Sequence, residues 1–259
     1  MQCDSTLGTI ATAAVLCVVC SVVVSASAVG LKSFQEVNKK RFEQRNILEA
    51  AGFSPEEIAE QGVEKLFENI ETLLIDLGTG ELAESIDEAS FDQKAAAKTP
   101  ELSVEIPKEK QTFGFDRHEK YSRVYLMKDG DTLKKVILPI YGKGLWSTLY
   151  GFIALDSDLN TIAGITFYEH AETPGLGGEV DNKKWKAQWR GKQVADNGDV
   201  KIEIIKGTVS QDSADAEHQI DGLSGATITS RGVSEAVRYW LEDGFGPFLG
   251  KLKSEGSNG

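Results

Sequence analysis

The chain has 259 residues, 41% of them hydrophobic, and a formal net charge of −12. That length allows one large domain or two small ones with a real core, and the apolar fraction excludes a disordered chain. The acidic balance, with no visible basic face, argues against nucleic acid as a partner and against simple adsorption to an anionic lipid surface.

All three cysteines (Cys3, Cys17 and Cys20) precede residue 21, so the rest of the chain has neither disulfides nor thiolate metal sites. No charged residue lies between Asp4 and Lys32, and Ile10 to Val24 is rich in Ala, Val, Leu and Cys. About 20 mostly apolar residues cross a bilayer as a helix. Ala26-Ser27-Ala28 has the look of a signal-peptidase site, but the apolar run is long for a signal peptide and no positive segment precedes it. The expectation is a retained single-pass anchor, with residues 1–31 forming a cytoplasmic N-terminus and the membrane span. Lys32, Lys39, Lys40 and Arg41 follow it. Taken alone, the positive-inside rule puts the following domain in the cytoplasm.

Phe34 to Ala51 reads as a charged helix continuing from the span. Ser54-Pro55-Glu56-Glu57 predicts a helix start, with Ser54 as cap and Glu57 closing a capping box. Ile58, Leu66, Phe67 and Ile70 give it an apolar stripe. Thr72 to Leu77 predicts a strand, and Ser90 to Lys98 a helix stopped by Pro100. Glu101 to Glu119 is mixed, charged and without period, and reads as a connecting segment that could be ordered against the core. Four β-rich runs follow, at Arg123–Met127, Lys134–Tyr141, Leu149–Leu155 and Thr161–Tyr168. Their short connections favour antiparallel pairing, because a parallel crossover takes a dozen residues or more. Val180 to Trp189 predicts a helix, opened by Asp181 or Asn182, with Trp185 and Trp189 on one face. Val200 to Ile205 predicts a strand after an Asn197-Gly198 turn. Gly232 to Glu242 predicts a helix broken at Gly244-Phe245-Gly246-Pro247, and Ser254 to Gly259 a frayed tail. The fold class is α+β: a transmembrane helix, then a mainly antiparallel sheet with packed helices. The expected divisions are 1–31, a helical and connecting region 32–120, a ligand domain 121–252, and a flexible tail 253–259.

The stretch richest in chemistry is Asp221-Gly222-Leu223-Ser224-Gly225-Ala226-Thr227-Ile228-Thr229-Ser230. A Ser/Gly/Ala turn at the mouth of a helix points backbone N–H groups outward, and the helix dipole adds partial positive charge, which suits a phosphate. Thr227, Thr229 and Ser230 add three hydroxyls there, though Thr229 or Ser230 could equally be an ordinary cap. Two glycine-bearing stretches are further candidates. Gly142-Lys143-Gly144-Leu145-Trp146-Ser147-Thr148 brings a flat aromatic face to a turn that could otherwise be a plain hairpin. Glu169-His170-Ala171-Glu172-Thr173-Pro174-Gly175-Leu176-Gly177-Gly178-Glu179 places many glycines in a strand-to-helix loop, where cofactor contacts concentrate. Neither contains the dinucleotide fingerprint G-x-G-x-x-G, and the chain has no Walker loop. His118, His170 and His218 lack ligand spacing. Asp156-x-Asp158-x-Asn160 imitates an EF-hand start but meets Thr161 and Phe167 where Gly and Glu are required.

At Asp221, Ser224, Gly225, Ala226 and Thr227 the chain resembles the acceptor motif of covalently flavinylated FMN-binding domains. The three stretches in order resemble the C subunit of the Na+-translocating NADH:quinone oxidoreductase; the likeness is strongest from Pro139 onward. The G subunit of Rnf-type complexes, usually shorter, shares the motifs and is the alternative. A non-redox, membrane-anchored ligand-binding module is a third reading.

The resemblance implies FMN held covalently by a phosphodiester to Thr227, with Asp221 to Thr227 read by a flavin transferase. It implies Ser224, Gly225, Ala226 and Thr229 at the phosphate end. Leu145, Trp146, Glu172, Thr173, Leu176, Gly177 and Gly178 would lie along the ring and ribityl chain. It further implies other membrane redox proteins as partners, electron transfer coupled to sodium export, and no catalysis by the chain in isolation. The location implied is an inner membrane with the domain on the periplasmic side, against the charge count.

Overall fold

The computed structural model describes residues 5–84, 86–88, 91–210 and 212–256. Two compact units divide the chain, one ending at Glu43 and the other starting at Gln44. The first unit is helical, within α1 (Thr6–Ala50). Ile10, Val15, Leu16, Val18, Val22 and Val23 are all exposed along it. A helix apolar on every side has no core-facing stripe, and lipid is the environment that suits it. Among the described residues it is the one helix long and apolar enough to cross a membrane, and it fits a membrane anchor.

The second unit contains, in chain order, α2 (Pro55–Gln61), α3 (Val63–Phe67), β1 (Ile70–Asp76), the single turn α4 (Gln93–Ala96), β2 (Ser103–Glu105), β3 (Arg117–Glu119), β4 (Tyr121–Asp129), β5 (Thr132–Lys143), β6 (Thr148–Asp156), β7 (Ile162–Glu169), α5 (Lys183–Ala187), β8 (Ala195–Asp196), β9 (Asp199–Val200), β10 (Glu203–Ile204), β11 (Gln219–Ile220), α6 (Thr227–Tyr239) and α7 (Gly246–Gly256). One five-stranded sheet, β1-β4-β5-β6-β7, is antiparallel throughout, as the short connections require. β1 pairs with β4 from Ile70↔Met127 to Asp76↔Tyr121, so residues before 120 enter the same sheet as those after it.

Both faces of the sheet are covered, which is why its central strands read as nearly continuous apolar runs. On one face, Ile137, Phe152 and Ala154 pack with Ile47, Leu48, Ile58 and Leu66. On the other, Val136, Leu138, Ile153 and Leu155 pack with Val233, Val237, Trp189 and Trp240. Bare glycines permit the closest approaches. A Cβ at Gly142 would lie 2.5 Å from Ala236 Cβ, and one at Gly232 would run into the Lys143 carbonyl. α6 therefore lies directly on the end of β5, with Trp240 Nε1 donating to the Tyr141 carbonyl at 2.8 Å.

The capping box is present: Ser54 Oγ accepts from Glu57 N, and the Glu57 carboxylate accepts from Ser54 N at 2.7 Å. Several boundaries differ from expectation. The stripe Ile58 to Ile70 is broken at Gly62, whose φ of 86° no helix can continue through, and Ile70 already belongs to β1. Ser90 is outside the described residues, and the helix expected there is a single turn capped by Asp92. The connecting segment, in contrast, packs against the core as allowed for, with Ile106 and Phe113 buried. Val180 to Trp189 forms a 3-10 turn and then the five-residue α5, capped by Asn182. Trp185 and Trp189 still share a face, ring centroids 5.7 Å apart. Val200 to Ile205 splits into β9 and β10, following a turn with both Asn197 and Gly198 at positive φ. Pro247 sits in the first turn of α7, a helix not anticipated; its missing N–H costs nothing there. Residues 254–256 of the expected tail belong to α7, and 257–259 lie outside the described residues.

Candidate functional site

α6 starts at Thr227 itself, five residues before the apolar periodicity suggests. Ala226 holds the cap position and supplies no side-chain hydrogen bond to the helix. The first N–H groups of a helix have no intrahelical partner, so this end carries unpaired donors together with the positive end of the helix dipole. Gly225, exposed with φ of 71°, makes the left-handed turn that feeds it; a Cβ there would also lie 2.9 Å from Leu176 Cδ2.

The motif's three helix-end hydroxyls have different fates. Thr227 is exposed, as is Ser224. Thr229 is 1% exposed and donates to Glu172 Oε2 at 2.7 Å. Ser230 is buried, and its Oγ accepts from Leu223 N at 3.0 Å, folding the motif back on its own helix. Upstream, Asp221 is half-buried: its carboxylate accepts from Val209 N at 2.7 Å and its carbonyl from Trp185 Nε1 at 2.8 Å.

The Gly144–Thr148 stretch joins β5 to β6 as a tight arch, closed by Gly144 N donating to the Ser147 carbonyl. The three successive amides of Leu145, Trp146 and Ser147 all donate to the Glu172 carboxylate, at 3.2, 2.9 and 3.1 Å. Burial alone would raise the Glu172 carboxyl. The hydrogen bonds from Thr229 and from the three arch amides outweigh burial and hold it below the usual carboxylate range. Ser147 Oγ accepts from Ala171 N, and His170 Nδ1 accepts from Glu172 N at 3.2 Å. With Nδ1 accepting, His170 Nε2 carries the proton that reaches Asp181 at 2.9 Å. The Thr173 carbonyl accepts from the amides of Leu176 and Gly178, coiling the loop. Gly177 is pinned between Glu172 and Thr229, where a Cβ would lie 2.6 Å from each.

The three stretches singled out in the sequence thus meet at one place, tied through Glu172, Thr229, Gly177 and Leu176. Large apolar side chains remain uncovered there: Leu145 at 50%, Trp146 at 70%, Leu176 at 44% and Ile228 at 57% exposure. The sequence reading missed Ile228, since only a helix known to begin at Thr227 puts it on the first turn. It also missed the bracing roles of Ser147 and His170. No group of His, Cys, Asp and Glu among the described residues could hold a metal ion. The arrangement fits a phosphorylated, flat, apolar ligand: an exposed hydroxyl at an uncapped helix start, with a flanking set of uncovered aliphatic and aromatic side chains.

Comparison with known proteins agrees with this geometry. A family model described as an FMN-binding domain matches residues 144–242, from the arch to just beyond the end of α6. The C subunit of the Na(+)-translocating NADH-quinone reductase of Pseudomonas aeruginosa is 47% identical over 96% of this chain and 97% of its own length. Its Yersinia pestis counterpart is 44% identical over 96% and 94%. Among solved structures, Shewanella oneidensis NqrC superposes with a TM-score of 0.74 at 36% identity, covering 84% of this chain and 99% of that one. The C subunit of the Parabacteroides distasonis reductase gives a TM-score of 0.65 at 28% identity, covering 85% and 96%.

Proposed function

The chain belongs to the family formed by the C subunits of Na(+)-translocating NADH-quinone reductases, and from that premise we propose that it carries FMN joined through its phosphate to Thr227. The observation that carries the reading is the exposed Thr227 hydroxyl at the uncapped start of α6. A threonyl phosphodiester keeps one negative charge, and the unpaired helix amides stabilise it without Lys or Arg. Ser224, Gly225 and Ala226 shape the approach to the phosphate. Leu145, Trp146 and Leu176 offer apolar surface to the ring, while Thr173, Gly177 and Gly178 hold the loop that carries Leu176. Thr229 and Glu172 act from beneath, because both are buried and bonded to each other.

FMN, when bound, supplies the redox chemistry; the chain's residues hold it and set how far it is exposed. The reading extends to an electron-carrying component of a sodium-translocating complex, matured by a flavin transferase that recognises Asp221 to Thr227. The partners are other membrane redox proteins of that complex, and the chain alone has no turnover. α1 anchors it in an inner membrane, with the unit from Gln44 onward on the periplasmic side; protease accessibility in sealed vesicles tests that side.

The central test is Thr227→Ala expressed with the transferase. Peptide mass spectrometry is expected to find FMN on the wild-type Thr227 peptide, none on the variant, and partial loading of Thr227→Ser. Full FMN mass on Thr227→Ala would move the attachment elsewhere.

A further inference from the structure

We propose that Glu172 is a positioning residue of the flavin site, a carboxylate turned into the protein that latches the Leu145–Ser147 arch onto the first turn of α6. The inference rests on the flavin reading above.

Successive backbone amides pointing into one concavity normally receive an anion from outside the chain. Here the concavity of the arch is filled by a carboxylate from the β7–α5 connection, 25 to 27 residues away in sequence. Both oxygens are committed. Oε1 accepts from Trp146 N and Ser147 N, and Oε2 accepts from Leu145 N and Thr229 Oγ1. The flanks are closed too: a Cβ at Gly144 would lie 2.5 Å from Oε1, and one at Gly177 2.6 Å from Oε2. Glu172 is 5% exposed, whereas Trp146, whose amide it holds, is 70% exposed. Glu172 thus holds the arch from the protein side, and its contact with Thr229 reaches α6 two residues beyond the attachment hydroxyl. The latch fixes the distance between Thr227 and the Leu145–Trp146 surface, and with it the pose available to a ring tethered at one and resting on the other.

The test uses the full chain in detergent, produced with and without a flavin transferase, as wild type, Glu172→Gln and Glu172→Ala. In flavin-free protein, amide hydrogen exchange at 145–147 is expected to accelerate about tenfold or more in Glu172→Ala, while the β5 and β6 amides stay protected. Glu172→Gln is expected to fall between, since one amide end keeps an acceptor and the other presents a donor to donors. Added formate should restore protection in Glu172→Ala by refilling the carboxylate position, and should do nothing in Glu172→Gln. In flavin-loaded protein, the visible circular dichroism of the flavin should change while its mass stays on Thr227. Exchange at 145–147 within about twofold of wild type, or unchanged flavin dichroism in Glu172→Ala, would overturn the proposal. Should Glu172→Ala fail to fold, Glu172→Gln decides on the same two readouts. Wild type lacking FMN mass on Thr227 would sink the flavin reading alone, and the flavin-free exchange would still decide whether the latch exists.

Discussion

Glu119 offers a quantitative check on the fold beneath the site. It is 0% exposed, on β3, and its carboxyl accepts from Tyr141 Oη at 2.7 Å and from Gln93 Nε2 at 2.5 Å. Burial raises its pKa from 4.5 to about 7, more than these hydrogen bonds lower it. The folded state therefore binds a proton that the unfolded chain has released between about pH 4.5 and pH 7. Stability from this group is intact below about 4.5, falls as pH rises through that window, and levels off above about 7. The rise from 4.5 to about 7 corresponds to roughly 3 kcal/mol. Glu119→Gln removes the titration. Its partners can adapt, because the Gln93 amide can flip to accept and the Tyr141 hydroxyl can rotate.

The assay is urea unfolding of the full chain in detergent, followed by fluorescence of Trp146, Trp185, Trp189 and Trp240, from about pH 5 to about 8.5. The stability of Glu119→Gln relative to wild type should rise by about 2.5 kcal/mol across that range. His118, whose pKa burial lowers, acts in the opposite sense, but it is present in both proteins and largely cancels in the difference. Parallel pH profiles would refute the reasoning, because they would mean that Glu119 meets water in the folded state.

Two structural substitutions test how the site is mounted. Gly232→Ala drives a Cβ into the Lys143 carbonyl, so α6 must lift from β5; a loss of about 1–3 kcal/mol or more is expected in the same unfolding assay. An unchanged midpoint would mean that this contact gives way freely. Ser54→Ala removes the cap of α2, which packs on the sheet face opposite α6, at a cost of about 1 kcal/mol, with FMN loading on Thr227 unaltered by mass.

What the sequence disclosed and what it hid follow from the range of each signal. The capping box at Ser54–Glu57 is a four-residue pattern, and it formed as read. β4 to β7 announced themselves through β-branched and aromatic runs and tight turns, and their antiparallel order needed only loop length. The shortened α5 shows the limit: Trp185 and Trp189 are spaced for a helix, but the 3-10 turn at 177–181 uses up the segment in front of them. The start of α6 was hidden because the exposed Ile228 breaks the apolar pattern by which its first turn would be recognised. The Glu172 latch was invisible for a different reason. The arch amides carry no side-chain signature, and their partner lies in another loop, so no spacing rule joins them.

The same physics singles out one hydroxyl in the motif for the proposed covalent bond. Ser230 is held by Leu223 N and Thr229 by Glu172, and each would leave a buried polar group without its partner if it turned outward. Ser224 is exposed but precedes the left-handed Gly225, outside the helix. Thr227 alone combines exposure with a place at the helix start, where a phosphate meets both unpaired donors and the dipole. Its position is inherited from below: Gly142 and Gly232 let α6 sit against β5, and Trp240 hydrogen-bonds the strand at the other end of the helix. A hydroxyl mounted that rigidly, beside an arch held to the same helix through Glu172, would give a ring attached as proposed a restricted set of poses. Under the proposed function, that restriction would keep the distance to a neighbouring redox centre the same from one turnover to the next.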